Sequence, residues 1–128
     1  MRRFAAIALL LTLAACAPPQ DSATRRMPVF FQEWSANLDQ EATDTVNAAA
    51  SVVKEHPGWP VSVIGFADPE GSPQANRDIS QLRAQVVTDA LVKAGVPAAQ
   101  ITRSARGATA YVSMSLESRR VEIVVGTP

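Results

Sequence analysis

The chain has 128 residues, 47% of them hydrophobic, which is enough for one core and too short for two independent ones. Basic and acidic side chains balance at 12 each, so no basic surplus exists to hold a polyanion, and nucleic acid is excluded as a partner. A single cysteine and a single histidine exclude an internal disulfide and the usual four-ligand zinc cluster, and no cofactor is called for.

Arg2 and Arg3 open the chain, and an apolar run from Phe4 to Leu13, broken only by Thr12, is too short to span a bilayer comfortably. Residues 1–15 therefore read as a secretory signal peptide. The run ends in Leu13-Ala14-Ala15-Cys16, which resembles the lipobox of bacterial lipoproteins: small residues before a cysteine whose thiol is acylated and which becomes the first mature residue. An ordinary cleavage site with an incidental cysteine is the alternative. Loss of Arg2 and Arg3 leaves ten basic against twelve acidic side chains, so lipid at Cys16, not surface charge, is the expected membrane anchor. Residues 16–27, with Pro18, Pro19, Gln20, Asp21, Ser22 and Thr24, show no apolar periodicity and read as the lipidated cysteine and a flexible linker.

The domain is expected over 28–128. Pro28 to Phe31 suits a first strand with Pro28 at its start, and Trp34 is expected to pack in the turn that follows. Ala42, Val46, Ala49 and Val53 recur at helical spacing from an N-capping Asp39 to His56, where Pro57 and Gly58 stop the helix. Val61 to Ala67 is apolar at odd and even positions, as in a central strand, and delivers Asp68 to its end. A second helix, roughly Asn76 to Ala94, is expected to bury Ile79, Leu82, Val86, Ala90 and Leu91 and to close at Gly95. Ile101 to Gly107 and Arg120 to Val125 complete a β-α-β-α-β-β order. In the last strand Val121, Ile123 and Val125 alternate against Arg120, Glu122 and Val124. The expected fold class is α/β (α+β): a mixed sheet with helices packed on one face.

Arg83 lies four residues after Ile79 and four before Val87, at the margin of the apolar face, where a guanidinium needs an anionic partner. Asp68 is the leading candidate. One carboxylate and one forked guanidinium suit a ligand bearing both an ammonium and a carboxylate. A ligand-free Asp68–Arg83 salt bridge explains the same spacing.

The run Gly65-Phe66-Ala67-Asp68-Pro69-Glu70-Gly71-Ser72-Pro73-Gln74-Ala75-Asn76, followed by Ile79-Ser80 and Leu82-Arg83-Ala84, resembles the signature of OmpA-like peptidoglycan-binding domains. Ser118-Arg119-Arg120-Val121-Glu122-Ile123 resembles that family's last strand, so the likeness runs from Val29 to Val125. The resemblance implies that Asp68 and Arg83 grip diaminopimelate of the peptidoglycan stem peptide. Asn76 falls on the family asparagine at the helix start, and Arg119 could line the same site, although an arginine there also suits a solvated strand edge. Phe66 stands where histidine is usual, Ala67 for threonine, Ala75 for tyrosine and Ser118 for asparagine.

His56, beside Pro57 at a helix end, is expected to meet terminal carbonyls. Asp68 and Glu70 form no recognisable acid–base pair, and no nucleophile elbow, zinc helix or phosphate loop is present in the sequence, so no enzyme is expected. The expectation is an outer-membrane lipoprotein with its domain in the periplasm, tethering the envelope to peptidoglycan. Ala17, in place of the aspartate that follows an inner-membrane cysteine, leaves that membrane assignment to the resemblance. A protein interaction module of an envelope complex, without wall binding, is the rival.

Overall fold

The computed structural model describes residues 24–109 and 116–127. The signal peptide, Cys16 and the linker up to residue 23 lie outside the described residues. Strands β1 (Arg25–Phe30), β2 (Val61–Ala67), β3 (Ile101–Ala108) and β4 (Arg120–Val125) form one sheet in the order β1-β4-β2-β3. β2 and β3 run parallel, joined through helix α2 (Pro73–Lys93), while β4 lies antiparallel between β1 and β2. Helix α1 (Gln40–Glu55) links β1 to β2. The expected β-α-β-α-β-β order and mixed sheet are what the chain forms.

Asp39 caps α1 by accepting from the Ala42 amide at 2.8 Å, which satisfies one of the donors orphaned at the helix start. At its other end the His56 amide donates to Val52 and Val53, but the His56 ring does not cap carbonyls: it stacks on Trp59 at 3.7 Å, the ring planes nearly parallel. Helix α2 ends in a Schellman turn, with the Val96 amide bonded to the Leu91 carbonyl and Gly95 at φ +104°. It begins at Pro73 instead of Asn76, because Ser72 is the N-cap and a proline is favoured in the first turn.

Two further expectations about these elements fail for identifiable reasons. Strand β1 begins at Arg25, inside the stretch read as linker, and carries Pro28 in its interior. The strand lies at the sheet edge, where a missing amide hydrogen is tolerated. In α2, Leu82 is 52% exposed and Val86 only partly buried, while Asn76, Ser80, Arg83, Ala84, Val87 and Leu91 face inward. The helix is turned from its hydropathy pattern because it lies directly on Gly65. A Cβ built there would sit 2.1 Å from the Ser80 carbonyl oxygen. That close approach brings the Ser80 side inward, and the Ser80 hydroxyl accepts from the Gly107 amide at 3.2 Å, tying α2 to β3.

Inward-facing Val29, Val61, Val63, Val121, Ile123 and Val125 of the sheet share one core with Val46, Ala49 and Val53 of α1 and Ala84, Val87 and Leu91 of α2. Both helices thus cover one face. The opposite face carries Ser62, Ile64 and Phe66, all half-buried, and the Arg120 guanidinium lies 4.1 Å from the Phe66 ring centroid.

Candidate functional site at the end of strand β2

Four segments meet where β2 ends. β2 delivers Asp68 by running out of ladder partners after Ala67, and β4 is preceded by Arg119. Helix α2 presents Asn76 and Arg83, seven residues apart and therefore on one face. The turn after β1 brings Trp34. Together Trp34, Ala67, Asp68, Asn76, Ile79 and Arg83 line a cleft of about 10 Å³, room for a group the size of one water.

Arg83 is not at the margin of the helix but 1% exposed, and its partner is not Asp68. Its Nε donates to the Ser35 carbonyl at 2.8 Å, Nη2 to Gln32 at 3.1 Å and Nη1 to Phe66 at 3.3 Å. The guanidinium also lies 5.3 Å from the Phe31 ring centroid. Burial, opposed by the attraction of Asp68 and aided by repulsion from Arg119, lowers its pKa to about 10, so it remains charged at neutral pH. Three of the five guanidinium N–H groups are used in these bonds.

Asp68 pairs with Arg119, whose Nη1 donates to Oδ2 at 3.2 Å while Nε donates to the Phe31 carbonyl at 3.2 Å. Both side chains are mostly buried, at 11% and 16% exposure, so Arg119 is a member of this cluster and not a solvated edge residue. The simple Asp68–Arg83 salt bridge considered from spacing does not form. Asp68 Oδ1 is buried with no hydrogen-bond partner, which leaves a carboxylate lone-pair edge open beside two guanidinium groups. Leaving an acceptor in that state costs about 1–3 kcal/mol.

Asn76 is 3% exposed and lines the cleft. The Thr109 hydroxyl is a second buried group without a partner, and the Thr109 amide donates to Ala67 at 2.9 Å, next to Asp68. Thr109 was not singled out from the sequence, since a lone threonine after a strand carries no spacing signal.

The departures from the family pattern differ in consequence. Phe66 points to the outer face under Arg120, away from the cleft, whereas Ala67 lines it. Glu70 is exposed. Among the described residues no cluster of His, Cys, Asp or Glu is placed to hold a metal ion, and no helix is long and apolar enough to cross a membrane.

A model of the OmpA family matches residues 30–120, which include every residue of this cluster. The chain belongs to the OmpA family. It is 34% identical over 113 residues to the probable lipoprotein YiaD of Escherichia coli (strain K12), covering 82% of this chain and 52% of that protein. It is 33% identical over 87 residues to the peptidoglycan-associated lipoprotein of Legionella pneumophila, covering 65% and 49%. The chain thus spans about half the length of these relatives. Among solved structures, the peptidoglycan-associated lipoprotein from Burkholderia pseudomallei superposes with a TM-score of 0.71 at 25% identity, covering 77% of this chain and 89% of that one. The sheet order and the two-helix cover described above are those of an OmpA-like domain.

Proposed function

We propose that this protein is an outer-membrane lipoprotein, anchored through Cys16, whose periplasmic domain binds peptidoglycan noncovalently and ties the envelope to the wall. Binding is the proposed activity, not catalysis. The observation that carries this reading is the open Oδ1 of Asp68 beside the guanidinium groups of Arg83 and Arg119. With one carboxylate and two cations the cluster has a surplus positive charge, so it favours a ligand that brings an ammonium to Asp68 and a carboxylate to the arginines. The free amino-acid end of diaminopimelate in a peptidoglycan stem peptide has that pair of groups on one carbon. Asn76 adds an amide able to donate and accept at the cleft wall. Membership of the OmpA family and the peptidoglycan association named for the Legionella and Burkholderia relatives support the same ligand.

The test is co-sedimentation of the full chain, purified in detergent, with insoluble peptidoglycan of the diaminopimelate type. Wild type is expected in the pellet and a folded Asp68→Asn variant in the supernatant. Asp68 is chosen over Arg83 because Arg83 also holds three backbone carbonyls, and its removal confounds binding with folding. Absence of wild-type sedimentation overturns the reading and favours an interaction module of an envelope complex. The anchor is tested separately: mass spectrometry is expected to find acylation on Cys16, and Cys16→Ser to leave the membrane fraction.

A further inference from the structure

Trp34 is the largest exposed aromatic side chain near the cleft, at 56% exposure, and it holds a backbone conformation that suits few residues of its size. Its φ is +49°, the one positive value among the described residues other than glycine. Sparsely populated conformations of bulky residues persist only when the surroundings impose them. The surroundings here are Arg83, whose fork grips the Gln32 and Ser35 carbonyls on either side of Trp34. The Ser35 amide closes the turn onto Gln32 at 3.2 Å. Beneath the indole lies Gly71, at φ +89°. A Cβ on Gly71 would stand 2.7 Å from Trp34 Cη2, so the ring rests where only glycine leaves room.

An indole held out of the core, by a buried cation that also lines the site, is placed to meet something outside it. The cleft accepts only a water-sized group, so the body of any ligand whose charged end reaches Asp68 lies outside it, and Trp34 and the half-buried Ile79 are the large apolar side chains of the lining that it can meet. Resting on the function proposed above, we propose that Trp34 is a specificity-determining wall of the site, its indole packing against the methylene chain of the diamino acid. The ionic groups at the floor recognise the amino-acid end, and the indole recognises the aliphatic length behind it. Arg83 is then a positioning residue for Trp34 as well as part of the charged floor.

The experiment uses intrinsic fluorescence. The sequence has two tryptophans, and Trp59 is engaged in its stack on His56 away from the cleft, so Trp59→Phe leaves Trp34 as the sole indole reporter. The full chain carrying Trp59→Phe is titrated with a soluble muropeptide whose stem ends in diaminopimelate. A saturable change in Trp34 emission is expected. Affinities of Trp34→Ala and Trp34→Phe are measured by calorimetry on the otherwise unchanged chain, with folding checked by circular dichroism. Trp34→Ala is expected to bind about tenfold more weakly and Trp34→Phe to keep most of the affinity. Binding that depends on Asp68 but leaves Trp34 emission and the Trp34→Ala affinity unchanged overturns the wall and spares the proposed function. No wild-type binding at all removes both.

Discussion

Replacing Arg83 by alanine is expected to be among the most damaging single changes in this domain, and the structure gives the size of the effect. Each hydrogen bond from the buried guanidinium to Gln32, Ser35 and Phe66 involves a charged donor, a class that contributes about 1.5–3 kcal/mol. Against them stands the penalty of burying the charge, which lowers the side chain's pKa to about 10 despite the attraction of Asp68. Removing the side chain relieves that penalty but takes a charged donor from three carbonyls, of which Gln32 keeps the Ser35 amide, and leaves Asp68 with one nearby cation fewer. A net loss of about 3–5 kcal/mol follows, the range found when one member of a buried polar network is deleted. For a domain of this size that is a fall in Tm of at least about 12 °C. Arg83→Lys keeps the charge but cannot reach three carbonyls with one ammonium, so it is expected to recover less than half of the loss. Urea unfolding of wild type, Arg83→Ala and Arg83→Lys, followed by far-UV circular dichroism, measures this directly. A loss below about 1 kcal/mol for Arg83→Ala would refute the reasoning, because it would mean the three carbonyls are equally well served without the guanidinium.

Gly65→Ala forces a methyl against the Ser80 backbone and is expected to cost about 3 kcal/mol or to prevent folding, read from the urea midpoint. Gly71→Ala places a side chain at φ +89° and against Trp34, so a loss of about 1–2 kcal/mol is expected together with a shift in Trp34 emission. Asp39→Ala removes the cap of α1 and is expected to cost about 1 kcal/mol in the same assay. Asp68→Asn retains an oxygen for Arg119 while removing the charge, so its unfolding midpoint is expected to stay within about 1 kcal/mol of wild type while peptidoglycan binding is lost.

How much was legible beforehand differs by residue. Asp39, the Gly95 stop and the alternation of Val121, Ile123 and Val125 could be read directly, because capping, left-handed glycine and strand alternation are local in the chain. The order of elements followed from them. Asp68, Arg83, Asn76 and Arg119 were marked by the resemblance to the OmpA family, and the structure brings all four to one end of the sheet.

What the sequence by itself determined is therefore the set of local elements and the identity of the charged residues that gather at the end of β2. Only the tertiary structure decided their pairing. Gly65 lets α2 settle onto β2, and that contact turns the helix so that Arg83 enters the interior and Leu82 faces water. Arg83 then takes three carbonyls, two of them about fifty residues away, and leaves Asp68 to Arg119. Neither outcome has a signal in spacing, because helix rotation is set by where two backbones can touch, and a guanidinium's partners are whichever acceptors the fold leaves unpaired around it.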